Sequence, residues 1–201
     1  MIDRPPIIFI RHGETDWNRA RRIQGRADVG LNEVGRAQAT AVARRLVEVI
    51  GEPGMHAFHC SPLLRARQTM AAVLSELGLT EDSVTYDERL SERAFGEFDG
   101  QTWPELFRAA GDPALEPAAY YAWRPEEGES YAEVSERVEG WLATLSRPAI
   151  VVSHSGVSRA LRGLLLGLGK REIVHLPVPQ DRFFRIAGGR LDWFDARRGG
   201  P

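Results

Sequence analysis

The chain has 201 residues, 43% hydrophobic and 27% charged, and its 26 Lys+Arg against 28 Asp+Glu leave a formal net charge of −2. This composition excludes disorder and collagen-like repeats, and the charge balance argues against a nucleic-acid or anionic-membrane partner. Cys60 is the only cysteine, so no internal disulfide is available, and no apolar run approaches the ~18 residues of a bilayer span.

In chain order, Met1-Ile2-Asp3-Arg4-Pro5-Pro6 shows no basic region followed by an apolar stretch, so no secretory signal is read there and a cytoplasmic location is expected. Ile7 to Ile10 reads as a buried strand. After a polar loop, Asn32 to Ile50 carries apolar residues at helical spacing and is closed by Gly51. His56 to Cys60 is a second strand; Ser61-Pro62 is expected to open a helix that runs to about Leu77 and stops at Gly78. Val84 to Tyr86 is a brief third strand. Trp103 to Tyr131, with four prolines and many aromatics, predicts short helices and turns. A helix follows from Ser130 to about Arg147, an apolar strand from Ala149 to Ser153, and a helix from Ser155 to Leu168. Strand-like Arg182–Ile186 and Arg190–Phe194 are joined by Gly188-Gly189, before a low-complexity tail from Arg197 to Pro201.

The length predicts a single domain over 1–201, large enough to need no metal or disulfide staple. Strand–helix alternation places it in the α/β class, as a three-layer α/β/α sandwich around a mostly parallel sheet. Parallel strands end at one edge of such a sheet, and ligands bind there. Arg11-His12-Gly13-Glu14-Thr15 follows the first strand, Ser61 to Arg65 the second, Arg89 to Arg93 the third, and His154-Ser155-Gly156 the fourth. Two arginines, two histidines and a carboxylate on one edge make a cationic pocket suited to a doubly charged oxyanion. Gly13 and Gly156 would let backbone approach the ligand, and helix starts at Ser61-Pro62 and Ser155-Gly156 would favour an anion.

Other chemistries fit less well. All cations but Lys170 are arginines, which suit bidentate phosphate capture, although codon bias accounts for most of them. Gly169-Lys170 lacks the remaining elements of a nucleotide-binding phosphate loop, with Leu164 and Arg171 at the decisive positions. No close His/Cys pair suggests a metal site; His56, His59 and His175 read as structural. Four residues separate Cys60 from Arg65, where a cysteine phosphatase loop has five between its cysteine and arginine, and neither Ser153 nor Ser155 lies in a G-x-S-x-G elbow.

The blocks Arg11-His12-Gly13-Glu14-Thr15 with Trp17-Asn18, Arg22-Ile23-Gln24-Gly25 with Asp28, Ser61-Pro62-Leu63 through Arg65 to Thr69, Leu90-Ser91-Glu92 with Phe95-Gly96, and Val151 to Gly156 resemble, in order, the histidine phosphatase (phosphoglycerate mutase-like) superfamily. The resemblance implies that fold and a phosphatase acting on a small-molecule phosphate monoester without metal or cofactor. It implies phosphorylation of His12, with Arg11, Arg65 and His154 in the phosphate pocket and Glu92 as proton donor. Asn18, Gln24, Gly25 and Ser155 join Arg11, Arg65 and His154 as substrate-binding candidates.

A neutral imidazole attacks phosphorus, and the neighbouring arginines should disfavour protonation of His12. Glu92 must be buried to serve as the acid. Residues 101–131 are a candidate cap that would choose the substrate; the same aromatics would equally serve as packing onto the sheet. Mutase-type phosphoryl transfer stays open, because Glu92-Arg93 resembles the mutase block, although the short stretch from Gly100 to Ser130 and Gln24-Gly25 look like the phosphatase branch. Non-catalytic phospho-ligand binding is a third reading. The physiological substrate and the oligomeric state are not legible.

Overall fold

The computed structural model describes residues 4–196, so the opening Met1–Asp3 and the Arg197–Pro201 tail lie outside the described residues. Within them one sheet is built from β1 (Ile7–Arg11), β2 (Ala57–Cys60), β3 (Val84–Tyr86), β4 (Ala149–Ser153), β5 (Arg182–Ala187) and β6 (Arg190–Asp195), in the order β3-β2-β4-β1-β5-β6. The first four strands run parallel, whereas β5 is antiparallel to β1 and β6 to β5. Gly188 and Gly189, at φ of 55° and 75°, supply the left-handed pair that a two-residue hairpin turn requires.

The helices are α1 (Asp16–Arg19), α2 (Glu33–Ile50), α3 (Leu64–Leu77), α4 (Trp103–Ala110), α5 (Pro117–Ala122), α6 (Tyr131–Leu142), α7 (Ser155–Leu166) and α8 (Lys170–Ile173). Strand alternation assigns their layers. Ile8 and Ile10 of β1 and Ile150 and Val152 of β4 pack on one face with Val42 and Leu46 of α2 and Met70 and Val73 of α3. Ile7, Phe9, Ala149 and Val151 point the other way, against Val138 and Trp141 of α6 and Val157 and Leu161 of α7. The α/β class, the central sheet and its mostly parallel strands are therefore as the alternation predicts.

Several boundaries differ, each for a local reason. Ser61-Pro62 is a turn, and α3 starts at Leu64, whose N–H donates to Asp28 Oδ1 at 2.6 Å. That helix start is thus capped from within the protein. Helix α6 ends at Leu142 and not near Arg147, and Thr144 Oγ1 donates to Trp141 O at 2.7 Å, meeting one of the carbonyls freed at its end. Helix α7 stops at Leu166 because Gly167 turns left-handed at φ 66°. The short helices α1 and α8 lie in stretches too short to show a hydrophobic period.

The aromatics of 101–131 join neither sheet-facing cluster. Phe95, Phe98, Tyr120, Tyr121 and Tyr131 form a third cluster with Trp103, Phe107 and Trp123 packed against it. At its centre is Arg93, fully buried, with its guanidinium carbon 4.8 Å from the Tyr131 ring centre and 4.9 Å from that of Phe95. Its Nε donates to Glu129 O at 2.7 Å and one terminal nitrogen to Trp123 O at 3.1 Å. Ring faces and carbonyls solvate this cation in place of a carboxylate.

Candidate active site

Strands β1 and β4 are neighbours in parallel register, with Arg11 opposite Ser153. The residues that follow them therefore emerge side by side. His12 N donates to Ser153 O at 3.0 Å, and the His12 and His154 ring centres lie 5.1 Å apart. A cavity of about 280 Å³ opens here, lined by Arg11, His12, Asn18, Gln24, Gly25, Arg65, Glu92 and Ser155, together with Arg21, Arg22, Phe95, Trp103 and Gln180. His154 is fully buried beside His12 and is not among the lining residues.

Hydrogen bonds set the tautomer of His12. Its Nδ1 lies 2.8 Å from Gly13 O, and a carbonyl can only accept, so the neutral ring carries its hydrogen on Nδ1 and leaves the Nε2 lone pair free. Burial, then the Arg65 and Arg11 guanidinium groups, push protonation of His12 well below the ordinary histidine range. His154 is shifted the same way by burial, Arg65 and His12. Its Nε2 is 2.7 Å from Ser61 Oγ, while its Nδ1 is buried without a partner.

The two arginines are fixed by main-chain carbonyls. Arg65, fully buried, donates to Gly25 O and Ala27 O, both at 2.7 Å, and Arg11 donates to Val178 O. The Nε atoms of both are buried without partners. Burial lowers the pKa of each, that of Arg11 to about 10, which still leaves it cationic at neutral pH.

Glu92 is 7% exposed and makes no ion pair among the described residues. Arg89 bonds to Asp87 instead, and Arg93 sits in its aromatic cage. Four donors surround the Glu92 carboxylate: Arg93 N and Gly156 N, each 2.9 Å from Oε1, and Ser155 N at 3.1 Å and Ser155 Oγ at 2.8 Å from Oε2. The free N–H groups at the start of α7 thus hold this side chain. Ser155 lines the cavity, but its own polar groups turn toward Glu92.

The glycines need correction too. A Cβ on Gly156 would lie 2.4 Å from Glu92 Oε1, and one on Gly13 would lie 2.2 Å from Gly35 O. Each absent side chain makes room within the protein itself, one for the carboxylate and the other for α2. Overpacking against backbone costs about 1–3 kcal/mol, so Gly13→Ala is expected to lower stability by about that amount in urea unfolding. Gly140→Ala, in α6 with nothing within 4 Å of the added methyl, should leave stability unchanged or slightly raised.

The neutral histidines also make stability depend on pH. In the unfolded chain they protonate near pH 6.5, whereas in the folded protein they resist. Unfolding therefore takes up protons below about pH 6.5. Their contribution is complete above that pH and falls with acidification at up to about 1.4 kcal/mol per pH unit for each histidine. Urea titrations from pH 7.5 to 5 should show this slope, and the double variant His12→Gln/His154→Gln should flatten it.

Asn18 has two duties: its Oδ1 accepts from Thr15 N at 3.2 Å and from Gln180 Nε2 at 3.0 Å, so it caps α1 while facing the cavity. Gln180, which also donates to His12 O at 3.1 Å, is absent from the sequence-predicted set, as is Ser61. Gln180 precedes β5, and because β5 is antiparallel its start lies at the edge where the parallel strands end. A search limited to residues after strands passes it over. Cys60 is fully buried, burial pushes its thiol pKa up, and it does not line the cavity.

Comparison with known proteins agrees with this geometry. The family model described as "Histidine phosphatase superfamily (branch 1)" matches residues 7–187. The chain is 32% identical to a glucosyl-3-phosphoglycerate phosphatase of Mycolicibacterium vanbaalenii over 81% of this chain and 74% of that one. It is 31% identical to a 2,3-bisphosphoglycerate-dependent phosphoglycerate mutase of Methylobacterium radiotolerans over 86% of this chain and 84% of that one. The solved structure of the mycobacterial glucosyl-3-phosphoglycerate phosphatase in complex with VO3 superposes with a TM-score of 0.77 at 29% identity, covering 95% of this chain and 97% of that chain.

Proposed function

The chain belongs to the histidine phosphatase superfamily (branch 1), and on that premise we propose that it hydrolyses small-molecule phosphate monoesters through a phosphohistidine formed on His12. It is a phosphatase, a phosphoric monoester hydrolase. The observation that carries the covalent route is the His12 Nδ1 contact to Gly13 O, which leaves Nε2 bare in a cavity lined by Arg11 and Arg65.

In the first step the Nε2 lone pair attacks phosphorus, the bond from phosphorus to the alcohol oxygen breaks, and Glu92 gives the leaving oxygen its proton. Arg11 and Arg65 neutralise the non-bridging oxygens. Ser61 Oγ accepts from Leu63 N at 3.3 Å and has its own hydrogen to give to His154 Nε2. That arrangement puts the second ring's hydrogen on Nδ1, as a further donor to the phosphoryl group. In the second step Glu92 takes a proton from water, the water oxygen bonds phosphorus, and the phosphorus–nitrogen bond breaks to restore the Nε2 lone pair.

Asn18, Gln24 and Gly25 complete the substrate contacts, and Ser155 acts by orienting Glu92. Residues 101–131 act as the cap that selects the alcohol, a reading supported by Trp103 and Phe107 facing the space beside the site. No helix among the described residues is long and apolar enough to cross a membrane. A cytoplasmic location is in keeping with the single cysteine.

Mutase-type transfer is the second reading, favoured by the likeness to the phosphoglycerate mutase. Incubation with 3-phosphoglycerate and a bisphosphate primer separates the two. Phosphate release without formation of 2-phosphoglycerate is expected, and interconversion faster than hydrolysis would transfer the assignment. Tight binding of phosphate esters without turnover would leave only a binding role.

A further inference from the structure

A side-chain amide binds a phosphoryl oxygen only through its nitrogen; turned over, it presents an oxygen to an anion. Asn18 lines the phosphate cavity, and the chain around it decides which end faces inward. Thr15 N, which can only donate, lies 3.2 Å from Asn18 Oδ1, and Thr15 Oγ1 donates to the same atom at 3.3 Å. Gln180 Nε2 is a third donor to it, at 3.0 Å the shortest of the three. Asn18 Nδ2 is left without a hydrogen-bond partner among the described residues.

Gln180 is itself fixed. Its Nε2 also donates to His12 O at 3.1 Å, and because a main-chain carbonyl can only accept, the nitrogen end of this amide is the one that faces it. Both Nε2 hydrogens are thereby used, one on the main chain that carries the nucleophile and one on Asn18. Gln180 lies in the segment between α8 and β5, where Val178 O also receives the Arg11 guanidinium. One short segment thus touches the arginine, the histidine main chain and the asparagine of the site.

We propose that Gln180 is a positioning residue: it holds Asn18 Oδ1 away from the substrate, so that Asn18 Nδ2 points at a non-bridging oxygen of the phosphoryl group over His12. A donor aimed before the substrate arrives costs no reorganisation during the reaction, and such aim comes from supporting hydrogen bonds of this kind. The role rests on the phosphatase reading above, and the test separates the two.

The test measures binding of inorganic phosphate by isothermal titration calorimetry in wild-type protein, Asn18→Ala, Gln180→Met and the double variant. Loss of a hydrogen bond to a charged group predicts about 10- to 100-fold weaker binding for Asn18→Ala in the wild-type background. Gln180→Met keeps the length of the side chain but donates nothing, and in that background Asn18→Ala should cost less than about threefold, a coupling that independent structural roles do not give. The same coupling is expected in kcat/KM for p-nitrophenyl phosphate. Gln180→Glu reverses the sign: a carboxylate only accepts, so it draws Asn18 Nδ2 to itself and turns Oδ1 toward the phosphate. Removing that oxygen with Asn18→Ala should then leave affinity equal or higher, whereas the added charge alone would leave Asn18→Ala as costly as in the wild type. Misfolded protein lowers the binding stoichiometry and leaves the affinity ratio within each background untouched. An equal cost of Asn18→Ala in the wild type and in Gln180→Met, or a wild-type cost below about threefold, overturns the proposal. Failure of the wild type to release phosphate from p-nitrophenyl phosphate, with the binding cycle as expected, overturns the phosphatase reading and leaves the positioning role standing; absence of phosphate binding by the wild type overturns both.

Discussion

Replacement of His12 by alanine should lower kcat for phosphate monoesters by at least about 10⁴-fold and abolish the acid-labile phosphoenzyme that rapid quenching traps in the wild type. Loss of a nucleophile removes the covalent route entirely, whereas the arginines that remain still bind phosphate. His12→Ala should therefore retain affinity for inorganic phosphate within about tenfold, because Arg11 and Arg65 are anchored by the carbonyls of Val178, Gly25 and Ala27 and not by the imidazole. Turnover and a trapped phosphoenzyme persisting in the alanine variant would locate the nucleophile elsewhere. Thiol alkylation offers a companion measurement: Cys60, buried and with its thiol pKa raised, should leave activity intact when challenged with an alkylating reagent.

Glu92→Gln is the second large effect. General acid catalysis contributes about 10²- to 10⁴-fold, and the loss should fall in that range for alkyl phosphates, whose alkoxide leaves poorly. It should be much smaller for p-nitrophenyl phosphate, whose leaving group needs little protonation. The amide is nearly isosteric, but the site treats it unequally. Glu92 accepts at both oxygens from N–H groups at the start of α7 and from Arg93 N. An amide nitrogen has no acceptor to meet them, so one end of the side chain must turn away. A moderate loss of stability should accompany the kinetic one, of the order of 1–3 kcal/mol for an unsatisfied buried group. Equal loss on aryl and alkyl esters would remove Glu92 from the acid role and leave it as a positioning residue.

Several features of the site are legible in residue order alone. Ile7 to Ile10 and Ala149 to Ser153 announce themselves as strands by their apolar character, and a histidine follows each strand, His12 after β1 and His154 after β4. Two buried parallel strands placed side by side must present those histidines together, as the 5.1 Å ring separation shows. The α2 and α3 ends at Gly51 and Gly78 are equally plain, since glycine at positive φ closes a helix without a Cβ clash. What spacing does not convey is the partner of each polar group. Ser155-Gly156 reads as an anion-binding helix start, and it is one, but the anion is the protein's own Glu92 from 63 residues earlier in the chain. Ser61-Pro62 reads as another, yet Asp28 reaches the first free N–H of α3 from a loop with no visible period.

The amino-acid order by itself determined the class of fold, the sheet edge at which chemistry gathers, and the identity of the histidines, arginines and carboxylate found there. All of these follow from local rules: apolar runs make strands, glycine and proline end elements, and parallel strands finish on a common side. Only the tertiary structure decided which helix-start N–H groups the protein's own carboxylates take, which glycines make room for side chains or backbone, and where Arg93 is solvated. Those outcomes depend on contacts between segments tens of residues apart, and a hydrogen-bond partner at such a distance leaves no periodic trace in the chain that must satisfy it.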